Sequence, residues 1–220
     1  MINVVVNRTM RAILHAGLRR YRPHSAAHTA LILVHVQPPF LIGHGDLTSR
    51  LGQLVTVARD NGMPVFRSVF DASAPVQYLS PALRMMRSRV GVSGAAELPA
   101  GLYPTAADIH LPATTNLSAF HETGLAEMLA SAGIERLVVA GTFADIGVDS
   151  TARDATERDF YTTVISDCCG AQTEAGRDAA LSVTIPRMVQ HVTTLADWIS
   201  EVGGKPAHPG PAEHRPETQL

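Results

Sequence analysis

Short apolar runs alternate with longer amphipathic segments along most of the chain. That alternation restricts the fold more than any other feature. Thr29 to His35 reads TALILVH, continuous enough for a strand buried on both faces, and Pro38 and Pro39 end it. Leu47 to Asp60 has helical spacing and stops at Asn61 and Gly62. Further strands are predicted at Pro64–Val69, Asp108–Leu111, Arg136–Ala140, Tyr161–Ser166 and Met188–Val192. Between them, helices are predicted at His121–Ala132, Ala144–Arg158, Thr173–Leu181 and Leu195–Val202. The stretch from Ala72 to Gly101 has weak periodicity and reads as loop with one or two helical turns around Ala82–Arg87. Strand–helix alternation of this kind implies an α/β fold: a doubly wound, mainly parallel six-stranded sheet with helices on both faces, three layers in all. Such sheets bind ligands beyond the carboxyl ends of their strands, so the residues directly after each strand are the site candidates.

The 220 residues suit one such domain, expected over 29–202. Residues 1–28 form an extension in which Thr9–Arg20 has helical spacing. Residues 203–220 carry Pro, Gly, His and Glu without periodicity, a composition expected to stay disordered. A formal net charge of −2 gives no reason to expect nucleic acid or a membrane surface as partner. No apolar run approaches bilayer length, and Met1–Arg22 lacks the apolar core and cleavage site of a signal peptide. Cys168 and Cys169 are adjacent and ill placed to pair, which fits a reduced, cytoplasmic chain. Of the 18 basic residues, the only lysine is Lys205, in the tail.

Three segments, in order, carry a resemblance. Residues 31–40 (LILVHVQPPF) resemble the opening strand and Asp-x-Gln turn of the isochorismatase-like, or cysteine hydrolase, superfamily. Residues 117–120 (LSAF), followed by Thr123, Gly124 and Leu125, resemble its Ser-Ala-Phe turn after a lysine-bearing strand end. Residues 141–155 (GTFADIGVDSTARDA) and 166–171 (SDCCGA) resemble the segment around the nucleophilic cysteine and the strand ending in Ser-Asp. Spacing agrees over roughly Thr29 to Trp198. The resemblance implies the family's fold, no cofactor, a small-molecule substrate and a homodimer or higher homo-oligomer.

It also implies three departures. Amidases of the family use an Asp, a Lys and a Cys together. Here the Asp position is His35, the Lys position falls near Thr114, and the Cys position is Gly147. The covalent amide route is thereby excluded. Isochorismatases also carry Gly at the Cys position and cleave a vinyl ether without a thioester, but they keep the Asp and the Lys.

His35 is the candidate proton donor or acceptor, since imidazole titrates near neutral pH; the plain alternative is a hydrogen-bonded histidine packed under a loop. Gln37 matches the family Gln and is expected to orient His35 or bind substrate. Phe40 matches an aromatic near the pocket, with simple packing as the alternative. The Gly147 turn would keep backbone donors and leave room for substrate, or be a plain helix start. Asp145 lies beside it, as a ligand contact or as a carboxylate at a helix amino end. The resemblance implies a cis peptide at Thr142–Phe143. Thr114 and Phe143 complete the candidate substrate contacts.

Ser118 is expected to cap the following helix, and His121 completes the family's turn. Arg84, Arg87 and Arg89 lie in the variable stretch, as solvated side chains or a carboxylate clamp. Cys168 and Cys169 are expected to pack and not to react. Asp71 is not followed by the His residues of metal-binding relatives, so no metal is expected.

Three functions remain open. One is a divergent enzyme on a small polar or carboxylated metabolite, in specialised-metabolite biosynthesis. It would use His35 for non-covalent acid/base chemistry: vinyl-ether hydrolysis, isomerisation, elimination or cyclisation. Another is a non-catalytic ligand-binding or scaffold member. The third is a true isochorismatase, which requires His35 and Thr114 to replace the Asp and the Lys in role and geometry. The pocket discriminates them: converging His35, Gln37 and Asp145 favour the enzyme, and a pocket filled by Phe40, Phe143 or Met side chains removes it.

Overall fold

The computed structural model describes residues 25–203, apart from 74, 76, 91–97 and 99. The predicted Thr9–Arg20 helix and the tail beyond residue 203 lie outside them.

Six parallel strands form one sheet in the order β3-β2-β1-β4-β5-β6. They are β1 (Thr29–Val34), β2 (Val65–Ser68), β3 (Ile109–His110), β4 (Arg136–Gly141), β5 (Tyr161–Cys169) and β6 (His191–Thr193). The helices are α1 (Pro38–Leu41), α2 (Gly45–Asp60), α3 (Pro81–Val90), α4 (Leu125–Ser131), α5 (Asp149–Glu157), α6 (Glu174–Ala179) and α7 (Leu195–Gly203). Every residue of β1 and of β4 is buried, because helices cover both faces of a parallel sheet.

Side chains divide by the two-residue period of the strand. Ala30, Ile32 and Val34 of β1 join one core with Leu125 and Leu129 of α4 and Ala152 and Ala155 of α5. Leu31 and Leu33 join the opposite core with Leu51, Leu54 and Val55 of α2 and Trp198 of α7. Burying each such leucine contributes about 1.5–3 kcal/mol. Helix α2 ends as its sequence predicts: Gly62 takes φ +70, its N–H donates to Arg59 O, and Met63 N–H donates to Ala58 O. That paired pattern satisfies carbonyls the helix leaves open.

Some boundaries differ from expectation. The helix predicted from His121 starts at Leu125, because Gly124 adopts φ +72 and turns the chain first. Ser118 does not cap it; its Oγ accepts from Phe120 N–H in a local turn. The one or two turns around Ala82–Arg87 extend to the ten residues of α3. Strand β5 runs on to Cys169, past a register irregularity that aligns Gly141 with Cys169. The sixth strand lies at His191–Thr193 and not Met188–Val192. Upstream of it the Gln190 side chain accepts Thr162 N–H.

One buried ion group ties sheet to helix. Asp108 accepts from Arg67 Nε of β2 at 2.7 Å and from Arg59 Nη2 of α2 at 2.7 Å. Burial alone would raise the Asp108 carboxyl, but these guanidinium bonds hold it below the usual carboxylate range.

Candidate functional site

The strand order reverses direction at β1, between the β2 and β4 sides, and the crevice beyond that point is where this architecture binds ligands. His35 follows β1 there, and its backbone is held from both sides. Its N–H donates to Ser68 O of β2 at 3.1 Å, and its carbonyl accepts from Thr142 Oγ1, just after β4, at 2.7 Å. The chain turns at once, with His35 at φ +52 and Gln37 N–H returning to His35 O. A positive φ at a non-glycine residue is strained and persists only where surrounding bonds impose it.

Beyond β4 the chain makes a second tight turn. Phe143 adopts φ +59 and ψ +71, and residues Ala144–Val148 form a single π-helical turn leading into α5. The N–H groups of Ile146 and Val148 both donate to Phe143 O, and Ala144 N–H donates to Gly170 O. No described peptide bond is cis, so Thr142–Phe143 is trans, contrary to the family-based expectation. The positive φ of Phe143 makes the turn instead.

The two turns interlock at Gly147. A β-carbon there would lie 2.7 Å from His35 Nδ1, 3.1 Å from its Cε1 and 3.1 Å from Val34 Cγ1. The imidazole therefore occupies the space that any side chain at 147 would enter. It is 0% exposed, neither ring nitrogen has a hydrogen-bond partner among the described residues, and burial lowers its pKa to about 4. His35 is neutral at pH 7.

An apolar cluster meets the ring through Phe70. Phe40, Phe70, Met86 and Phe143 are all buried together, with Leu83, Leu117 and Ile146 packed against them. Phe70 meets His35 edge-on at 5.8 Å, and Phe40 meets Phe143 edge-on at 5.0 Å. These separations suit favourable aromatic pairs. Phe40 and Phe143 are thus packing side chains of this cluster, which meets His35 through Phe70. Phe70 and Met86 were not singled out from the sequence. Phe70 directly follows the second strand region, and Met86 shares a helical stripe with Leu83 and Val90, so both signals were present.

The other candidates do not converge on His35. Gln37 clamps a neighbouring strand end: its Oε1 accepts Phe70 N–H at 2.7 Å and its Nε2 donates to Phe70 O at 3.2 Å. Thr114 bridges Phe70 in a short parallel pair and hydrogen-bonds through its backbone to Val69 and Asp71. Its hydroxyl accepts Asn116 N–H at 3.1 Å. Asp145 is exposed, with its carboxylate close over Gly176 at the start of α6. Cys168 and Cys169 are buried; burial raises both thiols, Cys169 to about 12, and Cys169 Sγ donates to Ile165 O. Neither supplies a thiolate near neutral pH.

The model of the isochorismatase domain matches residues 29–197. The chain belongs to the isochorismatase family. Among its relatives, the isochorismatase family protein YecD of Escherichia coli O157:H7 is 29% identical over 180 residues, covering 76% of this chain and 92% of YecD. Ureidoacrylate amidohydrolase RutB of Methylorubrum extorquens is 29% identical over 176 residues, 72% of this chain and 68% of RutB. Solved structures agree on the fold. A cysteine hydrolase from Pseudomonas syringae pv. phaseolicola superposes with TM-score 0.68 at 21% identity, over 83% of this chain and 96% of that one. The octameric hydrolase YcaC of Escherichia coli gives 0.60 at 19% identity, over 82% of each chain. This isochorismatase-family chain thus shares the architecture of a family of hydrolases, with a buried histidine and an apolar cluster at its switch point. Among the described residues no helix is long and apolar enough to cross a membrane.

Proposed function

We propose that this chain is a non-hydrolytic, ligand-binding member of the isochorismatase family, in which the hydrolytic centre has become part of the core. The observation that carries this reading is the placement of His35. Its ring lies in the space beside Gly147, fully buried, and meets Phe70, a member of the buried cluster that also holds Phe40, Phe143 and Met86. A substrate atom has no route to a ring with no exposed surface. With a pKa of about 4, only about one ring in a thousand carries a proton at pH 7, which is a poor general acid for protonating an enol-ether carbon. The family's covalent route lacks its nucleophile at Gly147 and its cation near Thr114. The chain is read as cytoplasmic, with a small polar or carboxylated metabolite as its ligand class. The octameric state of YcaC supports reading it as a homo-oligomer.

A second reading draws on one observation: both ring nitrogens of His35 are buried without partners among the described residues. Such groups are rare in folded proteins, and a catalytic role is one of the explanations they admit. On that reading His35 exchanges protons with a metabolite after local opening, as a divergent biosynthetic enzyme would require. Incubating the purified chain with isochorismate and with ureidoacrylate tests the non-hydrolytic reading. No turnover above the uncatalysed rate is expected, and none that changes with His35→Ala. Turnover abolished by that substitution would overturn the non-hydrolytic reading.

A further inference from the structure

A polar cavity lies beyond the end of β5, two strands from β1 in the sheet, and shares no lining residue with the His35 centre. It has a volume of about 370 Å³ and lies between the amino end of α2 and the β5–α6 loop. That volume is in the range of metabolite sites. Basic groups line both walls. His44 and Arg50 come from the α2 side, and Arg177 comes from α6.

Arg177 is held in place: its Nε donates to Cys169 O at 3.0 Å and its Nη2 to Ser166 O at 3.1 Å, and Nη1 lies 3.4 Å from Asp178. A guanidinium fixed in this way loses little freedom when it takes a ligand. Arg50 is exposed and, among the described residues, makes one long contact, Nη1 to Asp167 O at 3.5 Å, which leaves most of its donors without a described partner. His44 makes no capping bond at the start of α2. Burial, followed by the charge of Arg89, lowers its pKa, so it is a neutral group at pH 7.

Two carboxylates also line the cavity. Asp167 turns its Oδ1 to Leu195 N–H at 2.8 Å, at the start of α7, and Glu174 is exposed in the first turn of α6. Gly170 forms part of the floor, where an added β-carbon would meet Leu47 Cδ2 at 2.6 Å.

We infer that this cavity binds the oxyanion of a small metabolite, a carboxylate or a phosphate, between Arg50 and Arg177. A planar guanidinium pairs two N–H donors with either oxyanion, and two guanidinium groups on facing walls favour a ligand that reaches both. The inference stands apart from the reading of the His35 centre, because no residue is common to both.

Calorimetric titration of the full chain with succinate and, separately, with inorganic phosphate at constant ionic strength tests it. Saturable binding of at least one is expected, weakened at least tenfold by Arg50→Ala and unchanged or tightened by Glu174→Gln. Binding of succinate alone assigns a carboxylate, and binding of phosphate alone assigns a phosphate ligand. Arg50→Gln keeps a side chain of similar length and should weaken binding as Arg50→Ala does, which separates lost charge from lost folding. Absence of saturable binding by both anions, binding that survives both Arg50 variants, or loss of binding in Glu174→Gln would each overturn the inference.

Discussion

At position 147 a β-carbon would lie 2.7 Å from Nδ1 of His35, well inside ordinary contact, so these two residues depend on each other's size. Gly147→Ala should destabilise by about 1–3 kcal/mol, the usual effect of overfilling a packed core. His35→Ala should cost about 2 kcal/mol through the vacated ring volume. Combined, they should destabilise by at least about 1 kcal/mol less than their sum, because the new methyl group enters the space the ring leaves. Denaturant titration of the two single variants and the double variant measures this directly. Strict additivity would mean that the ring does not occupy the site beside Gly147. Sequence alone placed His35 and Gly147 at adjoining strand ends. It did not show that one fills the other's space, because that follows from the positive φ of His35 and the π turn at 144–148.

At the scale of elements, two polar groups hold strand ends together. Gln37 forms two hydrogen bonds to the backbone of Phe70 and so links the β1 turn to the end of β2. Gln37→Ala should lower stability by about 1–3 kcal/mol and loosen the Phe70 end, measured as faster amide exchange at Phe70. Unchanged protection at that amide would count against the clamp. Asp108 joins β3, β2 and α2 through Arg67 and Arg59. Asp108→Ala leaves Arg67 buried without its carboxylate and should cost about 3–5 kcal/mol. A loss under about 1 kcal/mol in thermal or denaturant unfolding would show that the group adds little.

The strand elements were legible because β1 and β4 are continuous apolar runs between clear breakers. Helix α3 was not, since Arg84, Arg87 and Arg89 interrupt its apolar stripe. The role of Gln37 was hidden for another reason. A glutamine bonding to a distant backbone leaves no local pattern in sequence.

For the whole molecule, stability should depend on pH through these same groups. The folded pKa of His35, about 4, lies below the unfolded value near 6.5, so the unfolded chain binds more protons between those limits. Its contribution is complete above about pH 6.5 and is lost as pH falls toward 4, up to about 3 kcal/mol for that separation. Asp108, also depressed, adds a loss at lower pH, once the medium falls through its folded value. His35→Asn should therefore flatten the stability curve between pH 6.5 and 4.5 in denaturant unfolding, and an unchanged slope would contradict the buried state of the ring. The three-layer fold itself was legible from the alternation of strands and helices. The closure of the switch point was not, because it depends on Phe40, Phe70, Met86 and Phe143 meeting from four separate parts of the chain.

Titration of His35 by nuclear magnetic resonance, with the histidine rings isotopically labelled, tests that closure most directly. An apparent pKa near 4, unchanged by isochorismate or ureidoacrylate, is the predicted result. A pKa near 6.5, or one that shifts when either compound is added, would show an accessible ring and contradict a centre that has become core.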